Sequence, residues 1–199
     1  MSLKQILVEK PEKKEMISKN LIEMVRNCMK KDIINLELVH TALLQALQIS
    51  TPQGIEVFRP VRCTVDTQEL VSLFKDQIHQ LVHTKDGAHA ACLLVSHANA
   101  KDRKAMIKSI REMIVPMSVD QYGHMVLIVL CAVVDDTKLV SKAILAELKP
   151  SCHELVVNKW GRKIGLFLCR EDNDPLVKEC REKSASTRYS FHRSGADGQ

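Results

Sequence analysis

A short segment recurs three times in this sequence, and it limits the possible folds more than any other feature. The three copies contain Gly87, Gly123 and Gly161, which are 36 and 38 residues apart, and an apolar helical run follows each glycine. A repeat period of roughly 20 to 50 residues is typical of proteins built from stacked structural units. The sequence therefore predicts a solenoid, a class that usually works through an extended binding surface rather than a catalytic pocket.

The composition favours packed helices over sheets. Hydrophobic residues make up 45% of the chain and aromatic residues only 4%, so the apolar content is mainly Leu, Ile, Val, Ala and Met. These residue types suit helices that pack on one another. Glycine and proline are sparse, at 7 and 6, which disfavours a turn-rich all-β fold. We therefore predict an all-α chain.

Apolar residues at helical spacing predict where the helices lie. The predicted helices cover residues 12–31, 35–48, 67–82, 103–117 and 137–148. Pro116 and Pro150 are expected to end the last two of them. Residues 49–65 lack a helical period and are predicted to form an irregular loop. We expect a partial repeat array of about four helix pairs over residues 1–171, cut from a longer array. Residues 172–199 are polar and are expected to form a weakly structured tail.

Polar residues lie at fixed positions before the predicted helices. Thr84, Asp120 and Asn158 each precede a repeat glycine by three residues. Their side chains accept hydrogen bonds from the first N–H groups of a helix, so each is a predicted N-cap. Asp102 and Asp136 precede the intervening helices in the same way. The glycines are predicted to allow close approach of the neighbouring helix, because they carry no Cβ.

The order of these segments resembles a known repeat family. The segments that carry the resemblance are HTKDGAHAACLL, AKDRKAMIKSI, DQYGHMVLIVL, DDTKLVSKAIL and NKWGRKIGLFL. They resemble the pumilio (PUF) repeat family, and within it the Puf-A-type pumilio-like proteins of ribosome biogenesis. The resemblance covers about residues 67–170 and extends more faintly to LELVHTALL at 36–44.

The resemblance implies a fold, partners and a location. It implies a right-handed α-solenoid of PUF-like or armadillo-like helical repeats. The expected ligand is double-stranded or otherwise structured RNA, with DNA as a further ligand. It also implies pre-ribosomal protein partners, a role in large-subunit ribosome maturation or in translational regulation, and a location in the nucleus and nucleolus.

The resemblance also indicates the positions that read bases in such proteins, namely the first, second and fifth residues after each glycine. Here these positions hold Ala88, His89 and Cys92, then His124, Met125 and Ile128, then Arg162, Lys163 and Leu166. A base edge is read by a hydrogen-bond donor and acceptor at a fixed place, which Cys, Ile and Leu do not supply. Recognition of one single-stranded sequence is therefore not expected.

Six basic or histidine side chains lie near the starts of the apolar helices that follow the repeat glycines. They form the predicted nucleic-acid-binding site. They are Lys85, His89, His124, Lys159, Arg162 and Lys163. With a net charge of +5, these groups predict binding of phosphates without base preference. Such side chains also simply solvate protein surfaces. The alternative is a HEAT-like or armadillo-like protein-interaction scaffold that binds no nucleic acid.

A second basic group alternates with apolar residues at helical spacing, which is typical of the solvated face of an amphipathic helix. Its members are Lys101, Arg103, Lys104, Lys108 and Arg111. Tyr122 and Trp160 precede equivalent glycines and are predicted to pack rather than to stack on bases.

Catalysis, cofactors and metals have little support in the sequence. His79 and His83 are four residues apart, but no acidic third ligand accompanies them, so no metal site is predicted. His89 and Cys92 share a helix, and Cys92 is predicted to be a buried, inert thiol. The seven cysteines are scattered, and no catalytic motif occurs. We therefore expect no enzyme activity, no cofactor, no small-molecule substrate and no membrane segment.

Overall fold

Residues 13–50 and 65–169 are the part of the chain that the computed structural model describes. Throughout these residues the backbone forms helices and no strand. The α-helices, labelled in chain order, are α1 (Lys14–Lys30), α2 (Glu37–Ser50), α3 (Val65–Phe74), α4 (Lys85–His97), α5 (Ala100–Ser109), α6 (Ile114–Val119), α7 (Gly123–Val133), α8 (Thr137–Val140), α9 (Ala146–Leu148), α10 (Cys152–Val157) and α11 (Gly161–Leu168). Between them lie 3-10 segments at Ile78–Gln80, Arg111–Met113 and Lys149–Ser151 and a π-helical turn at Ser141–Leu145.

The helices stack in two rows, which confirms the predicted all-α solenoid. The inner row consists of α2, α4, α7 and α11, and each of these helices contacts the next. The remaining segments form an outer row, in which α1 packs on α2, α3 on α4, α6 on α7 and α10 on α11. This repetition of one local pairing is the physical definition of a solenoid, because each unit contacts only its neighbours.

Several predicted features lie outside the described residues. They are residues 1–12, most of the predicted loop (51–64) and the predicted tail at 172–199. The loop prediction is wrong at both margins, because residues 49 and 50 complete α2 and residue 65 opens α3.

The inner helices supply most of the core. In α7, every residue from Val126 to Leu130 is buried, and Leu127 and Leu130 are fully inaccessible to solvent. In α4, Leu94 and Val95 are equally inaccessible. Burying one such side chain stabilises the fold by about 1.5–3 kcal/mol. The apolar runs that follow Gly87 and Gly123 in the sequence are therefore the buried helices of the inner row.

The repeat glycines are required by contact with the helix or turn that precedes each inner helix. A Cβ at Gly87 would lie 2.1 Å from the backbone oxygen of Leu81, and one at Gly161 would lie 2.7 Å from that of Leu155. At Gly123 it would lie 3.0 Å from the Cα of Met117. The residue contacted is six positions before the glycine each time. The prediction of close helix approach is confirmed.

The predicted caps of the inner helices are also confirmed. Thr84 Oγ1, Asp120 Oδ2 and Asn158 Oδ1 each accept a hydrogen bond from the N–H of the repeat glycine, at 3.0, 2.7 and 3.2 Å. The aspartate and asparagine oxygens also accept from the residue before the glycine, at 2.7 Å in both cases. In α4, α7 and α11 a side chain therefore satisfies a backbone donor at the start of the helix.

The outer helices differ more from their predictions. The helix predicted over residues 103–117 begins earlier, at Ala100, where Asn99 Oδ1 accepts from the N–H of Asp102 at 2.8 Å. Asp102 is therefore not the cap. Its carboxylate is buried and lies 3.9 Å from Lys75 Nζ. Asp136 is the predicted cap of the next outer helix, and it accepts from the N–H of Leu139 at 3.0 Å.

Prolines do not end the outer helices as predicted. Pro116 lies in the first turn of α6, where a missing N–H removes no helical hydrogen bond. Pro150 lies in the 3-10 segment that joins α9 to α10, so the chain bends there and continues as helix. The helix predicted over residues 67–82 ends at Phe74, and the chain reaches Leu81 through a turn and the Ile78–Gln80 segment.

Arg103 is not part of a solvated helix face, as the sequence predicted for the second basic group. Its guanidinium donates to the backbone oxygens of Val95, Ser96 and Val133 at 3.0–3.1 Å. These carbonyls belong to the last turns of α4 and α7, which lack partners within their own helices. Arg103 therefore joins two inner helices at their negative ends, where a cation is stabilising. The other four members of the group are exposed, as predicted.

Among the described residues, no single helix is long and apolar enough to cross a membrane. The bent pair Arg111–Val119 and Gly123–Val133 reaches the required length and composition only when its two parts are counted together.

The glycine contacts predict a sharp difference between two positions of α11. We expect Gly161→Ala to lower the free energy of unfolding by about 1–3 kcal/mol, because its Cβ would overlap the Leu155 backbone. Gly165→Ala is the matched control, because no atom lies within 4 Å of the added Cβ. The control is expected to be neutral or to stabilise by up to about 1 kcal/mol, since alanine favours helix. Urea denaturation followed by circular dichroism measures both, and equal stability of the two variants would contradict the steric role.

Candidate functional site

The six predicted site residues lie in two places on the surface and one place in the interior. Lys85 is exposed at the start of α4, and His89 is half-buried one turn later. Lys159, Arg162 and Lys163 are exposed around the start of α11. The sixth residue, His124, is only 2% exposed.

The cations before and within α11 lie around the single tryptophan of the chain. Lys159 Nζ is 4.9 Å from the centre of the Trp160 ring, and Lys163 Nζ is 4.3 Å from it. The ring of His124 lies against the same indole, with centroids 5.0 Å apart. We call Lys159, Trp160, Lys163 and His124 the Trp160 cluster. Cation–π attraction holds the two ammonium groups beside each other at the surface.

The charge at this place is not neutralised by nearby carboxylates. Among the described residues, Lys159, Arg162 and Lys163 form no ion pair, whereas Arg26, Lys75 and Arg111 each have a partner. Three exposed cations in five consecutive positions therefore give a concentrated positive potential. Lysine and arginine side chains in such an arrangement attract phosphate groups.

Backbone donors do not contribute to anion binding here, although helix N-termini often do so. The N–H groups of Trp160 and Gly161 donate to Asn158 Oδ1. Those of Arg162 and Lys163 donate to the backbone oxygens of Asn158 and Trp160. Because the first turn of α11 is fully capped, any anion must be held by side-chain charge.

His124 does not belong to the surface where it was predicted. Its Nδ1 donates to the backbone oxygen of Asp120 at 3.0 Å, and its ring is covered by Trp160. Burial is the main cause that lowers the pKa of His124 below its usual value, and the charge of Lys163 acts in the same direction. A neutral, buried imidazole supplies no positive charge to a ligand. The prediction of His124 as a binding residue is therefore corrected to a packing role.

Tyr122 and Trp160 both have the packing role that the sequence predicted. Tyr122 is half-buried against the core. Trp160 is half-buried between His124 and two lysines, so its faces are already in contact with protein groups.

Four of the nine positions that would read bases are buried. Cys92 and Ile128 are 5% and 6% exposed, so they contact the core rather than a ligand. Burial raises the pKa of the Cys92 thiol to about 12, which keeps it protonated and unreactive near neutral pH. This confirms the prediction of an inert thiol. Leu166 is 72% exposed, but it has no group that recognises a base edge.

A buried histidine that sequence reasoning missed lies where the inner helices α2 and α4 meet. We call such a contact between successive inner helices a junction between repeats. His40, in α2, has no solvent exposure, and its Nδ1 is 2.6 Å from Oγ1 of Thr84. Its ring also meets the ring of His83 edge-on at 5.1 Å. The signal was the histidine in LELVHTALL.

The structure gives His83, one of the two histidines considered as metal ligands in the sequence, contacts with protein groups instead. His83 Nε2 is 3.3 Å from the backbone oxygen of Asn35, and its ring contacts His40. No group of three His, Cys, Asp or Glu side chains within residues 13–50 and 65–169 is arranged to hold a metal ion.

Comparison with known proteins identifies relatives of one kind. No family model matches the sequence. The chain is 32% identical over 180 residues to Pumilio homology domain family member 6 of Schizosaccharomyces pombe, covering 89% of this chain and 26% of that protein. It is 34% identical to Pumilio domain-containing protein 12 of Caenorhabditis elegans and 30% identical to human Pumilio homolog 3, over 84% of this chain and 20% and 24% of those proteins. The chain thus spans about a quarter of the length of these relatives.

Two crystal structures share the fold. One is human Puf-A in complex with DNA, with a TM-score of 0.75, 29% identity and coverage of 93% of this chain and 35% of that chain. The other is a crystal structure of human Puf-A, with a TM-score of 0.71, 27% identity and coverage of 95% of this chain and 36% of that chain. Both align with almost the whole of this chain and about a third of their own.

The buried histidines predict a loss of stability in mild acid. Burial lowers the pKa of His40 and His124 in the folded chain, so below about pH 6.5 the unfolded chain binds protons that the folded chain does not. The free energy of unfolding should be constant above about pH 7 and fall by up to about 1.4 kcal/mol per pH unit for each histidine below 6.5, until the folded pKa is reached. Urea denaturation across this range measures it.

Two matched variants test whether buried His124 contributes to this acid sensitivity. His124→Gln should give a shallower pH dependence than the unsubstituted chain, whereas His153→Gln, at an exposed position of α10, should keep the full dependence. Identical pH dependence of the two variants would contradict the proposed origin.

Proposed function

The chain belongs to a pumilio-like family related to Puf-A, and on that premise we propose that it binds structured RNA, and also DNA, without reading the base sequence. The observation that carries the proposal is the group of exposed cations Lys159, Arg162 and Lys163 at the start of α11, which have no carboxylate partner among the described residues. The family relation adds support, because human Puf-A has been crystallised with DNA.

The mechanism is electrostatic contact with phosphates. A protein that neutralises phosphates releases the counterions condensed on the nucleic acid, so affinity falls as salt rises. Three contacts to duplex DNA correspond to a slope of about −2.7 in a plot of log affinity against log salt. Lys85, at the start of α4, is a further candidate contact, and His89 has access to the surface from the same helix.

Base discrimination is not part of the proposal. The fifth positions after Gly87 and Gly123 are the buried Cys92 and Ile128, and the first position after Gly123 is the buried His124. Discrimination would need paired donors and acceptors that reach a base edge. The ligand is therefore recognised by charge and shape, and the proposal includes no chemical step.

The binding surface is tested by titration against a structured RNA, a single-stranded RNA and a DNA duplex at several salt concentrations. The triple variant Lys159→Gln, Arg162→Gln, Lys163→Gln should bind all three more weakly and reduce the magnitude of the salt slope by about 2 to 3. The matched control removes three exposed charges at the opposite end of the stack, by Lys13→Gln, Lys30→Gln and Lys31→Gln.

Three results would contradict the proposal. Equal affinity of the triple variant and its control would place the site elsewhere. Strong preference for one short single-stranded sequence would overturn binding without base reading. Absence of nucleic-acid binding at low salt would instead favour the protein-interaction scaffold.

The cellular role is proposed from the family relation alone. We propose that the protein acts in the nucleolus during maturation of the large ribosomal subunit, with pre-ribosomal proteins as partners. Imaging of the tagged protein beside a nucleolar marker should show co-localisation. Exclusion from the nucleus would overturn this location without affecting the binding proposal.

A further inference from the structure

Five exposed lysines form a second basic surface that faces away from the inner row. Lys101, Lys104 and Lys108 lie along α5, while Lys138 and Lys142 lie on the next outer segment, formed by α8 and the π-helical turn at Ser141–Leu145. Helix α5 packs against that turn, so the two sets of lysines belong to adjacent segments. We call these five residues the outer lysine surface.

No ion pair neutralises this surface among the described residues, although Asp135, Asp136 and Glu112 are exposed beside it in the sequence. The acidic residue of α5 is Asp102, which is buried and directed at Lys75. The segment from Thr137 to Leu145 contains no acidic residue at all. None of the five lysines forms an ion pair within the described part of the chain.

Several of these lysines lie at neighbouring positions of the same segment. Lys104 and Lys108 are four residues apart on one helix, as are Lys138 and Lys142 on the other segment. Like charges at this spacing repel each other and destabilise a helix. The two nearby arginines differ from these lysines because each has a bonding partner. Arg103 donates to backbone carbonyls, and Arg111 pairs with Glu147 at 2.9 Å.

The lack of an apolar anchor points to the kind of ligand. On α5, Met106 and Ile107 are buried, and on the neighbouring segment Val140 and Ile144 are buried as well. Neither segment contributes an exposed large hydrophobic side chain. Protein partners usually insert aromatic or aliphatic anchors at the centre of an interface. A surface of lysines alone suits a ligand held by charge, such as a phosphate backbone.

The spacing of the lysines suits a nucleic acid. Residues four apart on a helix differ by about 6 Å along its axis, and neighbouring helices lie about 8–10 Å apart. A duplex presents one phosphate per about 1.7 Å of its length, so several phosphates lie within reach of the five ammonium groups. We propose that the outer lysine surface binds the sugar-phosphate backbone of a nucleic-acid segment, as a site distinct from the cations at α11. This inference rests on the proposed function.

The test uses the full chain and a short RNA duplex of random sequence, titrated between about 50 and 200 mM salt. The outer variant carries Lys104→Gln, Lys108→Gln, Lys138→Gln and Lys142→Gln. Its matched control carries Lys13→Gln, Lys19→Gln, Lys30→Gln and Lys31→Gln, on and beside α1. The outer variant should bind about tenfold or more weakly at low salt, with a slope smaller in magnitude by about 3 to 4. Circular dichroism should show both variants folded, because all the substituted side chains are exposed.

The results separate this inference from the proposed function. If the outer variant matches its control while the variant at Lys159, Arg162 and Lys163 loses affinity, the outer site is overturned and the proposed function stands. If the outer variant alone loses affinity, the outer site stands and the proposed surface at α11 is wrong. If the outer variant loses binding to a polyglutamate peptide but keeps its affinity for the duplex, the ligand is an acidic protein segment, and the inference is overturned.

Discussion

The close contact at the three repeat glycines is the constraint on which the rest of the structure depends. At each of these positions a Cβ would lie within about 3 Å of the backbone of the residue six positions earlier. Because nothing larger than hydrogen fits, each short preceding helix or turn must cross its inner helix at nearly the same place. That fixed crossing lets successive pairs stack with similar geometry, and stacking is what buries the apolar inner helices.

The stack also determines what the junctions between repeats are made of. At two junctions a histidine from one inner helix contacts the cap turn of the next: His40 meets Thr84, and His124 meets Trp160. Both imidazoles are buried, and burial favours their neutral form. A junction of this kind packs well without a charge. The chain therefore uses both histidines for their shape and hydrogen bonds, although the sequence had suggested a cation at His124.

The features that the sequence predicted correctly are those set by local chemistry. The period of the glycines predicted the solenoid, and Thr84, Asp120 and Asn158 were recognisable as caps because a cap bonds to N–H groups only two or three residues away. What failed depends on distant contacts. The three carbonyls that Arg103 binds lie as far as Val133, and the burial of His124 depends on a tryptophan in the next repeat. Local periodicity gives no information on either, and it also missed the breaks in the outer helices.

The same geometry also determines where positive charge lies relative to the side chains that pack. The reading positions lie on inner helices, and in the repeats of Gly87 and Gly123 they have been filled with side chains that pack, such as Cys92 and Ile128. Packing there stabilises the stack, but it removes the donors and acceptors that a base edge requires. The two groups of exposed cations described above lie at the start of an inner helix and on the outward faces of outer helices. Under the proposed function, exposed cations in these two places contact the phosphate backbone, which carries no information on the bases.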